Sequence, residues 1–314
     1  MSEKINTAVL FPGQGSQEPD MGKDLAKHDS EYMNLWKKAE KISGKPLREI
    51  YWGGAEQDMA DTRTLQPAMT VVNLSIWMFC GKSLKNVCFA GHSLGEFSAL
   101  AAAGVLGLED VIELASIRGT LMADAGSEDE GMAAVLKLGL NRVEAIVDSA
   151  RTATGLEIRI ANYNTPMQFV VSGKKAALDA VAEQVKKEKG RAIPLPVSGA
   201  FHSPLIKGAN KELASVMAKK DWREPKAPIF FNATGKAENV PDKIKDIMGK
   251  QMVSPVKWTA IIENAWAKGA RNFYELGPKG VLTRMLGPIL KEKDEEYSSE
   301  SVSGLETARA VTEK

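Results

Sequence analysis

The sequence contains few of the residues that define specialised protein classes. It has only two cysteines among 314 residues, Cys80 and Cys88, and both lie among apolar neighbours. That number excludes a disulfide framework, and no cysteines and histidines are spaced like a metal site. We therefore expect two small buried thiols and a reducing, cytoplasmic setting.

An excess of charge and a long apolar run are absent as well. The 41 basic and 40 acidic residues leave a formal net charge of +1, so the chain lacks the basic excess of a nucleic-acid-binding protein. No apolar run approaches the roughly 20 residues that span a membrane. The N-terminus has no apolar segment typical of a signal peptide. We expect neither a nucleic acid nor a membrane as a partner.

The arrangement of predicted elements indicates an α/β protein. Strands alternate with helices over most of the chain, which favours a parallel sheet covered by helices on both faces. Within residues 130–198 the order becomes strand, helix, strand, strand, helix, strand, as in a ferredoxin-like unit. We predict a large α/β domain of residues 1–129 and 199–291 with residues 130–198 inserted as a small domain. Residues 292–314 are poor in apolar residues, and we expect a disordered tail.

Residues 91–95 match the pattern Gly-x-Ser-x-Gly. An apolar strand is predicted just before this pattern and a helix just after it, and that context is typical of a nucleophile elbow. Ser93 would stand at the helix N-terminus with its hydroxyl exposed, and the backbone N–H of Leu94 would point at a developing oxyanion. The alternative is a merely tight connection between a strand and a helix.

The histidines provide the candidate base, because a serine hydroxyl is a weak nucleophile without one. The chain has three: His28, His92 and His202. His28 lies in a charged helical stretch and is expected to be solvated. His92 neighbours Ser93, but its side chain should leave the turn in another direction, which suits a structural or hydrogen-bonding role. By elimination we predict His202 as the base; a capping or packing histidine is the alternative.

Five segments in the same order resemble the malonyl-CoA:acyl carrier protein transacylases. They are residues 11–17, residues 91–96, Arg118, residues 199–203, and Gln251 with residues 254–258. The resemblance covers about residues 7–290 and implies an α/β-hydrolase-like large domain with a parallel sheet and an inserted ferredoxin-like small domain. It also implies transfer of a malonyl group from malonyl-CoA to the phosphopantetheine thiol of an acyl carrier protein, through a malonyl-serine intermediate, for fatty acid or polyketide synthesis.

The same resemblance assigns roles to individual residues. Ser93 matches the acylated serine and His202 its base, in a dyad without an acid. The backbone N–H groups of Gln14 and Leu94 match the oxyanion hole. Arg118 matches the arginine that binds the free malonyl carboxylate, and a fork-shaped cation is the partner that a buried carboxylate requires.

Further residues are assigned to the substrate or to the histidine. Gln251 matches the residue whose backbone carbonyl orients the base. Asn162 and Asn164 match a polar turn that faces the cleft, and a plain asparagine-stabilised turn is an alternative with almost equal support. Phe201 is expected to crowd the carbon between the two malonyl carbonyls and so disfavour methylmalonyl. His92 is a further candidate for substrate binding.

Other functions stay open at the level of the sequence. An acyl-thioester hydrolase on the same scaffold would have less need of Arg118. A polyketide acyltransferase acting in trans is modestly favoured by Phe201 before His202. A scaffold with an inactive site is disfavoured by the intact Ser93. We expect a monomer that needs no metal or redox cofactor.

Overall fold

The computed structural model describes residues 5–314, apart from the side chains of residues 56 and 57, so residues 1–4 of the predicted large domain lie outside the described residues. Within residues 5–314 there are ten strands: β1 (Thr7–Phe11), β2 (Val87–Gly91), β3 (Glu130–Leu136), β4 (Ile158–Thr165), β5 (Gln168–Lys174), β6 (Arg191–Pro194), β7 (Ile229–Phe230), β8 (Ala237–Glu238), β9 (Asn272–Leu276) and β10 (Ser298–Val302). The same described part of the chain has thirteen α-helices: α1 (Lys23–His28), α2 (Ser30–Ser43), α3 (Leu47–Gly53), α4 (Thr62–Cys80), α5 (Gly95–Ala102), α6 (Leu108–Asp124), α7 (Leu140–Thr154), α8 (Lys175–Lys187), α9 (Lys207–Met217), α10 (Pro241–Met248), α11 (Trp258–Ala267), α12 (Val281–Leu290) and α13 (Leu305–Thr312). None of the helices described is long and apolar enough to cross a membrane.

The larger sheet has six strands in the order β10-β9-β1-β2-β7-β8. All neighbouring pairs are parallel except β7 with β8. Side chains of the central strand β1 alternate between two apolar clusters, with Val9 and Phe11 in one and Ala8 and Leu10 in the other. Because both faces are covered, the strand is apolar throughout rather than alternating with polar residues.

The smaller sheet has four antiparallel strands in the order β4-β5-β3-β6. With α7 and α8 between its strands in the chain, this is the ferredoxin-like arrangement. The predicted fold class, an α/β-hydrolase-like part with a parallel sheet plus a ferredoxin-like part, is confirmed. Backbone hydrogen bonds join the two parts: Val256 N donates to Ala161 O at 2.8 Å, and Tyr163 N donates to Val256 O at 2.9 Å.

The prediction of a disordered tail over residues 292–314 is wrong. Strand β10 pairs with β9 from Ser298 to Val302, and α13 follows it with Ala308 and Val311 buried. The backbone N–H of Leu305 donates to a carboxylate oxygen of Asp24. The segment is poor in apolar residues because it is an edge strand and a short helix, each of which packs on one side only.

The carboxyl ends of β1, β2 and β7 lie side by side. In the parallel register Phe11 stands opposite Gly91, and Ala90 stands opposite Phe230. The loops that follow these strands therefore meet at one edge of the larger sheet, where open α/β proteins bind their ligands.

Candidate active site

Ser93 stands in a tight turn between β2 and α5. Its φ is 50°, in the left-handed region that costs an L-residue roughly 1–2 kcal/mol. A Cβ at Gly91 would lie 1.9 Å from the carbonyl carbon of Gly95, and a Cβ at Gly95 would lie 2.0 Å from the carbonyl oxygen of Phe11. Only glycine allows this close approach of strand, turn and helix, which has the geometry expected of the elbow.

Ser93 and His202 form a hydrogen-bonded pair. Ser93 Oγ lies 2.7 Å from His202 Nε2, and His202 Nδ1 lies 2.9 Å from the backbone carbonyl oxygen of Ser254. A carbonyl only accepts, so Nδ1 carries the proton of the neutral ring. Nε2 is then the acceptor for the Ser93 hydroxyl.

Burial keeps His202 neutral. Loss of solvent, together with the positive charge of Arg118, lowers the pKa of His202 to about 3. The ring is therefore neutral at neutral pH, with Nε2 free of a proton.

The expectation that the Gln251 backbone carbonyl orients His202 needs a correction. Gln251 begins a short 3₁₀ turn, Gln251–Val253, and its carbonyl accepts from Ser254 N at 3.3 Å. The carbonyl at hydrogen-bond distance from Nδ1 is that of Ser254, and the Gln251 carbonyl makes only the smallest contribution to the pKa of His202.

The side chain of Gln251 has three partners of its own. Its Oε1 accepts from Arg118 Nε at 3.1 Å, and its Nε2 donates to Ser93 O at 2.9 Å and to Glu96 Oε2 at 3.0 Å. Gln251 therefore links the arginine, the turn and helix α5 from behind the cavity.

Arg118 is a buried cation directed at the nucleophile. The residue is 1% exposed; its Nη2 donates to Ser93 Oγ at 3.0 Å and its Nη1 donates to Gln66 Oε1 at 2.8 Å. Burial lowers the pKa of Arg118 to about 10, so the guanidinium stays charged at neutral pH. Gln66 was not singled out from the sequence, where an amide within a largely apolar helix was its only signal.

A cavity of about 230 Å³ lies in front of Ser93, between the two sheets. The residues predicted for the site that line it are Gln14, His92, Ser93, Leu94, Arg118, Asn162, Asn164, Phe201 and His202. The structure thus brings together all predicted site residues except Gln251, which lies behind the wall.

The loop after β1 and the turn at Ser93 each contain a backbone N–H group that has no acceptor among the described residues. Within residues 5–314, neither Gln14 N nor Leu94 N donates a hydrogen bond to another protein group, and both residues line the cavity. The side chain of Gln14 donates to Thr62 Oγ1 at 3.4 Å. Two free N–H groups beside a nucleophile are what an oxyanion hole requires.

Asn162 and Asn164 lie within strand β4 rather than in a turn. The strand continues this far because it pairs with β5 up to Thr165, with register shifts on the way. Asn164 Oδ1 accepts from His92 Nε2 at 2.9 Å, and the His92 ring packs edge-on against Trp258 with 5.4 Å between centroids. His92 therefore links the turn to the smaller sheet instead of contacting the Ser93 hydroxyl.

Two further residues surround the turn. Asn232, which sequence reasoning missed, follows β7 and hydrogen-bonds to Ser93 and Gly91. Glu96, which was given no role, is 0% exposed and accepts from Asn232 N at 2.7 Å. Burial raises the pKa of Glu96 to about 7, opposed by the hydrogen bonds from Asn232 and Gln251 and by the charge of Arg118. A glutamate in the first turn of an apolar helix was the only available signal.

The remaining candidate groups are the two cysteines and possible metal ligands. Cys80 and Cys88 are buried as expected, and burial raises the pKa of each thiol to about 12. In the part of the chain that the structure describes, no group of three or more His, Cys, Asp or Glu side chains is placed to hold a metal ion.

The sequence profile of the acyl transferase domain matches residues 9–310. The chain belongs to the acyl transferase family. It is 35% identical over 288 residues to the malonyl CoA-acyl carrier protein transacylase of Staphylococcus aureus, covering 91% of this chain and 93% of that protein.

Two solved structures are similar over nearly the whole chain. An acyl carrier protein S-malonyltransferase from Vibrio cholerae has a TM-score of 0.90 and 33% identity, covering 98% of this acyltransferase and 99% of that chain. A malonyl-transacylase solved with its type II polyketide synthase acyl carrier protein has a TM-score of 0.91 and 29% identity, with coverages of 98% and 99%. Fold and family together make this chain an acyltransferase enzyme.

Proposed function

We propose that this acyltransferase moves a malonyl group from malonyl-CoA to the phosphopantetheine thiol of an acyl carrier protein, for fatty acid or polyketide synthesis. The observation that carries the proposal is the buried charge of Arg118, whose Nη2 is 3.0 Å from Ser93 Oγ. An acyl group with its own carboxylate would meet that charge as soon as its thioester reached Ser93.

The partners of Arg118 leave its charge available to a substrate. Two neutral amides hold the guanidinium, Gln66 at Nη1 and Gln251 at Nε. Among the described residues the Arg118 side chain donates only to Gln66, Gln251 and Ser93, and the acidic group that acts on its charge is Glu96. Glu96 acts on the charge of Arg118 only from behind Gln251, so a malonyl carboxylate would supply the direct ion pair that a buried cation requires, whereas an acetyl group would not.

The first half-reaction acylates Ser93. The Ser93 hydroxyl gives its proton to His202 Nε2 while Oγ attacks the thioester carbonyl carbon of malonyl-CoA. The oxyanion accepts hydrogen bonds from the backbone N–H groups of Gln14 and Leu94. The carbon–sulfur bond then breaks, and His202 returns the proton to the leaving coenzyme A thiolate.

The second half-reaction transfers the malonyl group to the carrier. The phosphopantetheine thiol gives its proton to His202 Nε2, and its sulfur attacks the malonyl ester. Ser93 Oγ leaves and recovers the proton, so each residue ends in its starting state. Residues 130–198, which we assign to an inserted domain, supply the wall of the cavity opposite Ser93. No step requires a metal or redox cofactor.

A carrier-dependence assay tests the proposal. Malonyl-CoA is incubated with the enzyme, with and without a phosphopantetheinylated acyl carrier protein, and malonyl-carrier and free malonate are quantified. We expect malonyl-carrier as the main product and little malonate without carrier. Release of malonate at the same rate in both cases would identify a hydrolase instead. Carriers of the fatty-acid and polyketide types, compared by kcat/KM, separate the two pathways.

A further inference from the structure

Asn232 connects three points of the turn that presents Ser93. Its Oδ1 accepts from Ser93 N, its Nδ2 donates to Gly91 O, and its own backbone N–H donates to Glu96 Oε1, each at 2.7 Å. We propose that Asn232 is a positioning residue that holds Ser93 in its strained conformation, with Glu96 holding Asn232 in turn. The inference rests on the proposed role of Ser93 as the nucleophile.

The strain at Ser93 is what makes such a residue necessary. A non-glycine residue with φ of 50° persists only where the surrounding structure over-determines it. The Ser93 N–H has no backbone acceptor among the described residues, so Oδ1 of Asn232 is the acceptor that defines its direction. Since the direction of this peptide also fixes where Ser93 Oγ and Leu94 N lie, Asn232 would align the nucleophile with the oxyanion hole.

An asparagine suits this position by its chemistry. Its amide combines one acceptor with a donor, and here the acceptor meets an N–H while the donor meets the carbonyl of Gly91. An aspartate of the same shape would place a second acceptor against that carbonyl. Asn232 is 2% exposed, which leaves no room for water to replace a lost hydrogen bond.

Glu96 supports the arrangement from helix α5. Its two carboxylate oxygens accept from different partners, Oε1 from Asn232 N and Oε2 from Gln251 Nε2. The pair Glu96 and Asn232 therefore connects the end of β7 to the first turn of α5, with the nucleophile between them. Apart from Ser93 itself, the residues that hold Arg118 in place are Gln66 and Gln251, and neither is hydrogen-bonded to Asn232. Asn232 is therefore expected to affect the rate of acylation and not the choice of acyl group.

The first test compares Asn232→Ala with Asn210→Ala. Asn210 is also a buried asparagine whose Nδ2 donates to a backbone carbonyl, that of Gly249, but it lies outside the cavity. Acylation by malonyl-CoA and by acetyl-CoA is followed by rapid quench. Because a misplacement of about 1 Å can cost roughly 100-fold in rate, we expect kcat to fall about 100-fold for both substrates in Asn232→Ala, with KM and the malonyl-to-acetyl ratio unchanged. Asn210→Ala should keep the wild-type rate.

The second test uses Asn232→Asp, which preserves the shape and so the fold. When the introduced carboxyl group is protonated it can donate to Gly91 O, whereas the ionised carboxylate repels that carbonyl oxygen. Relative to wild type at each pH, the variant should therefore recover at least tenfold in kcat between pH 8 and pH 6. The ionisable groups around this position are Glu96, Arg118, His92 and His202. Because Glu96 accepts from residue 232 and has a pKa of about 7, the same ratio is also measured with Glu96→Gln in both proteins, and the pH dependence should persist there.

Three results of these two tests would contradict the positioning role of Asn232. A rate within threefold of wild type in Asn232→Ala, or a fall in the malonyl-to-acetyl ratio instead of in kcat, would overturn it. If Asn232→Ala does not fold, the aspartate variant decides, and a pH-independent ratio would contradict the positioning role. Failure of the proposed function would show differently, as a wild-type enzyme that malonyl-CoA does not acylate at all.

Discussion

At the scale of single residues, burial sets the charge of the groups that would react. His202 and Arg118 line the same cavity, and loss of solvent lowers the pKa of both. The consequence differs because their ordinary pKa values differ: His202 becomes neutral and able to accept a proton, whereas Arg118 stays charged. A neutral base and a cation without a direct ion pair, both next to one hydroxyl, are suited to an acyl donor that carries a carboxylate.

Replacement of the base is the first prediction. His202→Ala should slow acylation by about 10²- to 10⁴-fold, the usual contribution of general base catalysis, while circular dichroism and the melting temperature show an intact fold. The rate is measured by rapid quench with malonyl-CoA. A fall of less than about tenfold would point to another base, and His28→Ala is the matched control because His28 is exposed and does not line the cavity.

The second prediction concerns the choice of acyl group. Arg118→Ala should cut kcat/KM for malonyl-CoA strongly and narrow the gap to acetyl-CoA, because only malonyl has a carboxylate to pair with the guanidinium. The values are compared for both substrates in both proteins. A variant that still strongly preferred malonyl would refute the assignment of Arg118 and revive the hydrolase alternative.

Residues with a recognisable sequence context were predictable, and residues that act through long-range contacts were not. Ser93 lies in a pattern whose spacing determines the turn, and His202 followed from the small number of histidines. Asn232 reaches Ser93 across 139 positions of the chain, and no local pattern records such a contact. The nearest acceptor for His202 was missed by three positions: the Ser254 carbonyl, which follows a short 3₁₀ turn, lies 2.9 Å from Nδ1, and Gln251 adds a weaker backbone contact.

At the scale of elements, the junction of β7, α5 and the turn at Ser93 contains the buried carboxyl group of Glu96. Its ionised form lowers the free energy of unfolding. Glu96 has a folded-state pKa of about 7 against an ordinary value of 4.5. A raised carboxyl pKa means that the folded protein binds this proton more tightly than the unfolded chain, so the contribution to stability is present at low pH and is lost as the pH rises through about 7.

The third prediction follows from the raised pKa of Glu96. Between pH 4.5 and pH 8 the wild type should lose on the order of 3 kcal/mol of unfolding free energy relative to Glu96→Gln. Urea unfolding at several pH values measures the difference. Glu128→Gln, at an exposed position, controls for the removal of one acidic group. A constant difference between wild type and Glu96→Gln across this range would contradict the account of Glu96.

The C-terminal elements provide the fourth prediction. Deletion of residues 297–314 removes β10 and α13 and, with them, the burial of Val302, Ala308 and Val311. One buried valine is worth about 1.5–3 kcal/mol, so the melting temperature should fall by at least about 5 °C. Deletion of residues 313–314 alone should change little, because it removes an exposed ion pair between Lys314 and Glu300 and the last backbone hydrogen bond of α13, from Glu313 N to Arg309 O. Equal stability of both truncated proteins would show the segment to be dispensable.

Strands and helices that are covered on both sides were predictable from their apolar residues. Strands β1 and β2 are continuous apolar runs, and the change of order near residue 130 indicated the ferredoxin-like part. Strand β10 has the sequence Ser-Ser-Glu-Ser-Val, and its hydrogen bonds to β9 hold it in the sheet. Composition alone does not reveal a strand that is held mainly through its backbone.

At the scale of the whole molecule, the site exists because two sheets meet. Loops after strands of the larger sheet supply the nucleophile and the oxyanion donors, the loop between β6 and α9 supplies the base, and strands β3, β4 and β5 of the smaller sheet close the cavity from the other side. The backbone hydrogen bonds between β4 and Val256 fix this junction only two positions from the Ser254 carbonyl that orients His202. A monomeric state stays a prediction, which light scattering can check.

The fifth prediction tests the central claim most directly. The intact protein is mixed with malonyl-CoA, quenched in acid and weighed by mass spectrometry, and a peptide map then locates the adduct. The account predicts one malonyl unit per chain, on Ser93, absent in Ser93→Ala and discharged when a phosphopantetheinylated carrier protein is added. A malonyl label on another residue, or transfer to the carrier by Ser93→Ala at the wild-type rate, would contradict it.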